Sequence, residues 1–153
     1  MLVYENLKKL DIVLPALPPK GGIYVSVKRV GNLLFTSGVG PIVNGKSVFT
    51  GKLGRDLSIE DGQKAARIAA INIISVLHDY LTDLNKIEQI VKILGFVASA
   101  EHFGNQPQVL NGASQLFVDV FGEKGQHARS AIGTSELPGN IPVEIEGIFE
   151  ISP

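Results

Sequence analysis

The chain has 153 residues, 44% of them hydrophobic, and a formal net charge of −1 from 14 basic and 15 acidic residues. This length predicts a single domain over residues 1–153 with a substantial apolar core, and the scattered charge argues against nucleic acid as a partner, because phosphate contacts need a basic stripe. The absence of cysteine excludes disulfides, thiol nucleophiles and thiolate metal sites.

The amino-terminal residues MLVYENLKKL do not have the apolar segment and small-residue cleavage site of a signal peptide. Elsewhere, polar residues interrupt each apolar stretch well before the length of a membrane span. We therefore expect a cytoplasmic protein with no membrane partner.

The first elements are predicted to be a helix and two hairpins. Apolar residues recur at helical spacing over residues 2–10, and the Pro- and Gly-rich segment 14–22 ends that helix as an extended connector. Residues 23–30 alternate like a strand, and a Gly-Asn turn joins them to a buried strand over residues 33–36. The sequence VNGK at residues 43–46 predicts another turn.

Two long helices and a closing hairpin follow. Ser58 and Asp61 have the spacing of a capping box at the start of the clearest helix. Residues 87–100 predict a long strand, and Gly122 ends a second helix that has a proline near its first turn. Residues 127–152 contain two strand-like runs about the turn-rich sequence SELPGN and predict a hairpin. Because strands and helices interleave incompletely, we expect an α+β fold with two helices on one face of a mixed sheet.

Arg129 and Glu144 are the most informative charged residues, because each lies in one run of the predicted closing hairpin. Composition favours a cross-strand ion pair on a solvated face, worth roughly 0.2–1 kcal/mol. The small residues Ala131 and Gly133 share the face of Arg129 at a period of two and favour a pocket instead. In a pocket, the guanidinium could bind a carboxylate ligand through two parallel hydrogen bonds.

Other chemistries find little support. The three histidines, His78, His102 and His127, have no ligand spacing, so no metal site is predicted. No phosphate-binding glycine motif is present. Ser37 has no histidine or acid patterned with it as a catalytic triad.

Five segments in a shared order resemble the YjgF/Rid superfamily, the reactive-intermediate deaminases also known as the endoribonuclease L-PSP family. The resemblance is to the branch with chains of about this length and covers nearly the whole chain. The segments are GGIYVSVKRVGNLLFTSG, LGFVASAEHF, VLNGASQLFVDVFG, HARSAIGTSELP and VEIE. The combination ARSAIG, LP and VEIE is the most specific part.

The resemblance implies a chorismate-mutase-like fold, with a twisted mixed sheet backed by two helices. It also implies a homotrimer in which the sheets form a central barrel and the sites lie in clefts between subunits. The implied reaction is hydrolysis of small 2-imino or 2-enamino acids to 2-oxo acids and ammonia. This reaction requires no metal and no organic cofactor.

The resemblance also implies roles for particular residues. Arg129 matches the arginine that binds the substrate carboxylate, and Glu144 matches the glutamate associated with the attacking water. An imine carbon is already electrophilic, so the protein need only orient the substrate and deliver water.

Four further residues match substrate-binding positions of the family. Tyr24 matches an aromatic residue that lines the pocket, and Ser37 and Gly38 match a Ser-Gly pair at the cleft. Asn111 matches an asparagine near the start of the second helix, and we expect it at a subunit boundary near an Arg129. The following Gly112 is expected to allow close approach of a neighbouring chain.

Two residues depart from the family pattern. Val39 stands where glutamine is common, and Ala131 stands where cysteine or threonine is common, so both changes are expected to remove polar groups from the pocket. Two alternatives therefore stay open beside the deaminase: a binder or regulator that holds small carboxylates without turnover, and, ranked last, an endoribonuclease.

Overall fold

A five-stranded mixed sheet dominates the computed structural model, which describes residues 2–17, 20 and 22–153. The three α-helices are α1 (Leu2–Lys9), α2 (Ile59–Leu81) and α3 (Gln106–Phe121). The strands are β1 (Val27–Val30), β2 (Leu33–Thr36), β3 (Ile42–Val43), β4 (Lys46–Ser47), β5 (Ile87–Ala98), β6 (Ala128–Thr134) and β7 (Val143–Ile151). The large sheet has the order β1-β2-β7-β5-β6, with only β5 and β6 parallel, and β3 pairs with β4 in a separate hairpin. The predicted α+β class is confirmed.

The start of α2 is the capping box that the sequence predicts. Ser58 Oγ accepts a hydrogen bond from the Asp61 backbone N–H, and the Asp61 carboxylate accepts one from the Ser58 N–H. The helix ends at Thr82, whose φ of 61° is left-handed. Both predicted early turns are also present, since β1 and β2 are joined through residues 31–32 and β3 and β4 through residues 44–45.

The α3 helix has Pro107 in its first turn and ends at Gly122, as predicted. Gly112 lies where α3 crosses α2, and a Cβ there would overlap the backbone carbonyl oxygen of Gln63. Gly112 therefore allows close packing of two helices within one chain. The prediction that it serves the approach of a neighbouring chain is wrong, because that space is already occupied.

The two faces of the sheet differ, as β7 shows most clearly. Residues of β7 alternate along its whole length between buried and half-exposed. Its odd-numbered residues, such as Ile145 and Phe149, are fully buried in the hydrophobic core beneath α2 and α3. Its even-numbered residues, including Glu144 and Glu146, lie on the opposite face, which we call the open face.

The predicted closing hairpin is wrong. β6 forms the edge of the sheet and pairs in parallel with β5, whereas β7 lies between β2 and β5. The helix α3 connects β5 to β6 as a crossover, which places β6 parallel to β5. The turn-rich sequence between β6 and β7 therefore carries the chain past β5 instead of folding it back on itself.

The first strand is shorter than predicted. Residues 23–26 are irregular, and regular pairing with β2 begins at Val27. Ser37 holds this irregular segment, because its hydroxyl donates to the Val25 carbonyl at 2.7 Å and its N–H donates to the Ser26 carbonyl at 2.9 Å. The second strand is buried on one face only, since Phe35 is 40% exposed.

Among the helices of the described residues, none has the length and hydropathy needed to cross a bilayer.

Candidate functional site

Arg129 lies on β6, level with Ile93 of β5, and its side chain extends over the helix face of the sheet. Its Nη1 donates to Asn111 Oδ1 at 2.9 Å and to Ser114 Oγ at 3.0 Å, both on α3. Its Nη2 donates to the Pro107 carbonyl oxygen at 3.3 Å. We call Arg129, Asn111, Ser114 and the Pro107 carbonyl the arginine half-site. Asn111 is thus near Arg129, as expected, and the contact is made within one chain.

The guanidinium of Arg129 keeps unused binding capacity. It has five N–H donors, and the three hydrogen bonds above leave the Nε–H and one Nη2–H. No carboxylate within the described part of the chain forms an ion pair with it. Partial burial lowers the pKa of Arg129, but a guanidinium stays charged. Arg129 therefore retains a positive charge and two N–H donors, which suit a carboxylate ligand.

The small residues beside Arg129 do not leave open space. A Cβ at Gly133 would lie 2.7 Å from Gln106 Nε2, and Ala131 packs against the hydrophobic core. Gln106 is itself held by the Phe103 carbonyl oxygen, 2.7 Å from its Nε2. The prediction of bare space on this face is wrong, because the first turn of α3 fills it. A carboxylate can approach the guanidinium only from its solvent-accessible edge.

Glu144 lies in a cleft of about 600 Å³ at the open face of the sheet. Tyr24, Ser37 and Gly38 line the same cleft, so four of the predicted site residues are brought together. We call these four residues the glutamate half-site. Gly38 is in close contact with the glutamate, since a Cβ on Gly38 would lie 2.8 Å from Glu144 Cδ. Only a residue without a side chain leaves the carboxyl group in this position.

The environment of Glu144 makes its carboxylate more basic. Burial is the main cause that raises the pKa of Glu144, and the negative charge of the neighbouring Glu146 adds to it. No described residue donates a hydrogen bond to this carboxyl group. A carboxylate with a raised pKa and vacant acceptor positions is suited to receive a proton from water.

The two half-sites lie on opposite faces of the sheet. Arg129 is on β6 with its side chain against α3, whereas Glu144 is on β7 on the open face, and β5 separates the two strands. Two strand spacings amount to about 10 Å before the thickness of the sheet is added. The expected proximity of Arg129 and Glu144 across a hairpin is therefore wrong, and so is the cross-strand ion pair.

Val39 lies next to the glutamate half-site and packs into the core. Its side chain is 8% exposed and belongs to the hydrophobic core, and its backbone exchanges two hydrogen bonds with Ile145. A valine here is part of the packing beneath the sheet. Val39 also borders a small cavity of about 80 Å³ together with Tyr24, Ser37 and Gly38, to which it contributes no polar group.

Sequence reasoning missed two residues next to Arg129. Ser114 donates to or accepts from His127 Nε2 at 2.9 Å while it accepts from Arg129. Ser114 follows Asn111 by three positions, which places both on one side of α3, and His127 precedes Arg129 by two. These two spacings are the only local indications in the sequence. They do not predict that Ser114 and His127 meet, because His127 belongs to no recognisable ligand pattern.

The part of the chain that the structure describes contains no group of three or more histidine, aspartate or glutamate side chains that could hold a metal ion. A separate cleft of about 640 Å³ includes Lys52, Arg55 and Glu136. Arg55 in this cleft is already paired with Asp56 at 2.9 Å. None of the predicted site residues lines it, so the two half-sites remain the candidate functional regions.

Comparison with known proteins gives a match over residues 6–144 to the family described as "YjgF/chorismate_mutase-like, putative endoribonuclease". The curated relative "Protein TCP17" of Trypanosoma cruzi is 39% identical over 151 residues, which cover 98% of this chain and 94% of that protein.

Solved structures agree with this match. The Agrobacterium tumefaciens protein Atu1372, described as of unknown function, is 42% identical with a TM-score of 0.90, and the alignment covers 98% of this chain and 92% of that one. A "putative endoribonuclease" of Shewanella oneidensis is 30% identical with a TM-score of 0.96 over 99% of this chain and 100% of that one. A Yersinia pestis protein of the Rid family, YyfA, is 27% identical with a TM-score of 0.64 over 91% and 98%. The chain therefore belongs to the YjgF/Rid superfamily.

Proposed function

We propose that this protein hydrolyses small 2-imino and 2-enamino acids to 2-oxo acids and ammonia in clefts between the subunits of a homotrimer. The observation that carries the proposal is the separation of two complementary half-sites. Arg129 offers two unused donors and no carboxylate partner, and Glu144 offers a basic carboxylate in an open cleft on the other face. Both half-sites would be used if the arginine of one chain met the glutamate of its neighbour.

The open face of the sheet supports such an assembly. It carries apolar side chains that a single chain leaves partly in water, including Phe35 at 40% and Ile132 at 46% exposure. Leu94, Phe96 and Ile148 are half-buried on the same face. These apolar side chains lie beside Glu144 and Glu146, and a cluster of large exposed apolar side chains often marks a surface that another protein covers.

The proposed reaction needs only positioning and proton transfer. Arg129 binds the carboxylate of the imino acid through its Nε–H and Nη2–H, which fixes the adjacent imine carbon near Glu144 of the neighbouring chain. Glu144 accepts a proton from water as the water oxygen bonds to that carbon, and the imine nitrogen gains a proton. The amino nitrogen of the resulting carbinolamine then takes the proton held by Glu144, and ammonia leaves as the C–N bond breaks. The hydroxyl proton passes to solvent and replaces the one that the imine nitrogen gained, which yields the 2-oxo acid.

Semicarbazide trapping tests the chemistry. An amino-acid oxidase generates a 2-imino acid in situ, and the lifetime of the imine is followed with and without the protein. We expect the wild type to shorten that lifetime, Arg129→Ala to abolish the effect, and Glu144→Gln to slow turnover more than it weakens binding of pyruvate measured by calorimetry.

Arg129→Ala removes a charge-assisted contact of about 1.5–3 kcal/mol, so pyruvate affinity should fall by roughly ten- to a hundredfold. Arg129→Lys should restore little, because an ammonium group does not present a planar fork. Arg67→Ala, on an exposed position of α2, serves as the control for loss of an arginine. Unchanged pyruvate affinity in Arg129→Ala would exclude the carboxylate-binding role.

A mixing experiment tests whether the site is shared between chains. Alone, Arg129→Ala chains are expected to be inactive and Glu144→Gln chains to be slow. When they are co-expressed and purified as mixed trimers, about a quarter of the wild-type rate should return, because random assembly gives that share of heterologous interfaces two intact residues. No recovery in verified mixed trimers would contradict an intersubunit site.

A non-catalytic binder of small carboxylates is the second candidate. The hydroxyl of Ser37 favours it, because this hydroxyl already donates to the Val25 carbonyl and leaves few groups in the glutamate half-site to move protons. Pyruvate binding that depends on Arg129, with no effect of the protein on imine lifetime, would support this function over the deaminase.

A further inference from the structure

Ser114 and His127 extend the arginine half-site into a chain of hydrogen bonds. His127 Nδ1 lies 2.7 Å from the Gly125 carbonyl oxygen, and His127 Nε2 lies 2.9 Å from Ser114 Oγ. The same Ser114 oxygen lies 3.0 Å from Arg129 Nη1. The chain thus runs from a backbone carbonyl through an imidazole and a hydroxyl to the guanidinium.

The ends of this chain fix the direction of every hydrogen bond. The Gly125 carbonyl oxygen can only accept, so the proton of the neutral imidazole belongs on Nδ1. Nε2 of His127 is then an acceptor, and the Ser114 hydroxyl donates to it. With its proton committed, the Ser114 oxygen presents lone pairs, and one of them accepts from Arg129.

A proton added to His127 would reverse its hydrogen bond with Ser114 and weaken the hydrogen bond between Ser114 and Arg129. Nε2 would become a donor aimed at Ser114 Oγ, which already receives Nη1 of Arg129. The Ser114 hydroxyl proton would lose its acceptor, and two cationic donors would share one oxygen. Repulsion between the imidazolium and the guanidinium would then weaken the hydrogen bond by which Ser114 fixes the guanidinium.

The surroundings of His127 favour its neutral form. The Phe117 ring of α3 packs edge-to-face on the imidazole, with ring centroids 5.8 Å apart. Burial is the main cause that lowers the pKa of His127, and the positive charge of Arg129 lowers it further, while the bond to the Gly125 carbonyl opposes both. Arg129 on β6 is the one charged group among the described residues that shifts this pKa.

We propose that Ser114 and His127 are positioning residues for Arg129: the neutral imidazole orients the serine hydroxyl, and the serine oxygen holds the guanidinium with two N–H groups free for a carboxylate. Carboxylate binding should therefore weaken on mild acidification. The identity of the carboxylate, a 2-oxo or 2-imino acid, rests on the proposed function, whereas the hydrogen-bond chain is independent of catalysis.

Calorimetric titration with pyruvate from about pH 8 to pH 5 tests this role, because imidazole is the side chain that ordinarily titrates in that range and pyruvate stays ionised throughout. In the wild type, affinity should fall as the pH decreases. His127→Gln keeps an acceptor and removes the titration of the imidazole, so its affinity should fall less on acidification than that of the wild type. Ser114→Ala should bind about tenfold more weakly at neutral pH, in line with the loss of one hydrogen bond, and Ser114→Thr should recover most of that affinity.

His78→Gln is the matched control, since His78 is a half-buried histidine on α2 whose partner is the Tyr4 hydroxyl. It should keep the pH dependence of the wild type. An unaltered pH profile in His127→Gln, or wild-type affinity in Ser114→Ala, would overturn the proposal even if Arg129→Ala confirmed carboxylate binding.

A second measurement requires no ligand. Nitrogen-15 NMR of the folded protein should show His127 with its proton on Nδ1 at neutral pH. The Arg129 Nε–H signal should report a guanidinium that rotates slowly in the wild type and faster in Ser114→Ala. A proton on Nε2 of His127, or an equally restrained guanidinium in Ser114→Ala, would contradict the hydrogen-bond chain whatever the protein's activity.

Discussion

Gly38 controls the position of the Glu144 carboxyl group. A Cβ at residue 38 would lie 2.8 Å from Glu144 Cδ and 2.9 Å from Oε2, so Gly38→Ala must displace the carboxyl group. The backbone of Gly38 is not left-handed, so alanine adds no backbone strain there. We expect imine hydrolysis to fall by about tenfold or more, since a displacement of about 1 Å costs up to a hundredfold in rate, while the melting temperature changes little.

Gly104→Ala is the control for this variant, because a Cβ at Gly104 meets no atom within 4 Å. The trapping assay and thermal unfolding are measured on both variants. Full activity in Gly38→Ala would mean that the position of Glu144 does not limit the reaction.

The raised pKa of Glu144 should make the folded protein less stable at neutral pH. A carboxyl group whose pKa is raised by folding is protonated in both states below its ordinary value of 4.5, and the folded state loses stability as the pH rises through the raised pKa. Glu144→Gln removes that loss. We expect the variant to melt at a higher temperature than the wild type at neutral pH, with the difference closing below pH 4.5.

Glu136→Gln is the control, because Glu136 is exposed. Its melting temperature should not differ from that of the wild type in a pH-dependent way. If Glu144→Gln were instead less stable than the wild type at neutral pH, an ionised Glu144 would have to be compensated by a cation outside the ion pairs of the described residues, which leave Glu144 without one. The sign of the difference therefore reports on the surroundings of this carboxylate in the assembly.

At the scale of residues, the sequence predicted which side chains share a site in part, and it did not predict how the two half-sites are arranged. Asn111 was expected near Arg129, and a 2.9 Å hydrogen bond joins them. The sequence did not predict Ser114 and His127, because their hydrogen bonds near Arg129 form only when α3 packs against β6. Local spacing shows that two residues share a face, but not what the facing strand brings to them.

Gly112 determines how closely α3 can approach α2. Alanine has a higher helix propensity than glycine by about 1 kcal/mol, but a Cβ at this position would overlap the carbonyl oxygen of Gln63, which is backbone and cannot rotate away. Overpacking of this kind costs typically about 1–3 kcal/mol. We therefore expect Gly112→Ala to lower the free energy of unfolding, measured by urea denaturation. Equal or greater stability, judged against Gly104→Ala, would show that the two helices can move apart at little cost.

At the scale of elements, the helices could be predicted and the strand order could not. α2 was located by its capping box and α3 by Pro107 and Gly122, which are signals within each element. The closing hairpin was wrong because β5, some thirty residues earlier in the chain, lies between β6 and β7. A turn-rich loop between two strands does not reveal that a third strand separates them.

At the scale of the whole molecule, the described residues leave one face of the sheet partly exposed. Within the described chain, α2 and α3 pack on the other face, while the open face retains exposed Phe35 and Ile132. This arrangement also places Arg129 and Glu144 where one chain cannot join them. Trimer formation would cover the apolar face and could bring the half-sites of different chains together, so one assembly step would account for both features.

We therefore expect sedimentation equilibrium to give the mass of three chains at micromolar concentration. Ile132→Glu places a charge on the open face, where it would be buried without a partner in the assembly, and should shift the protein toward monomers. Val13→Glu is the control, because Val13 is 90% exposed in the connector after α1 and should leave the mass unchanged. If imine hydrolysis is lost in Ile132→Glu together with the trimer, while the fold measured by circular dichroism persists, the site requires neighbouring chains. A wild-type protein that stays monomeric under these conditions would instead leave Arg129 and Glu144 on opposite sides of one sheet, unable to act on the same substrate.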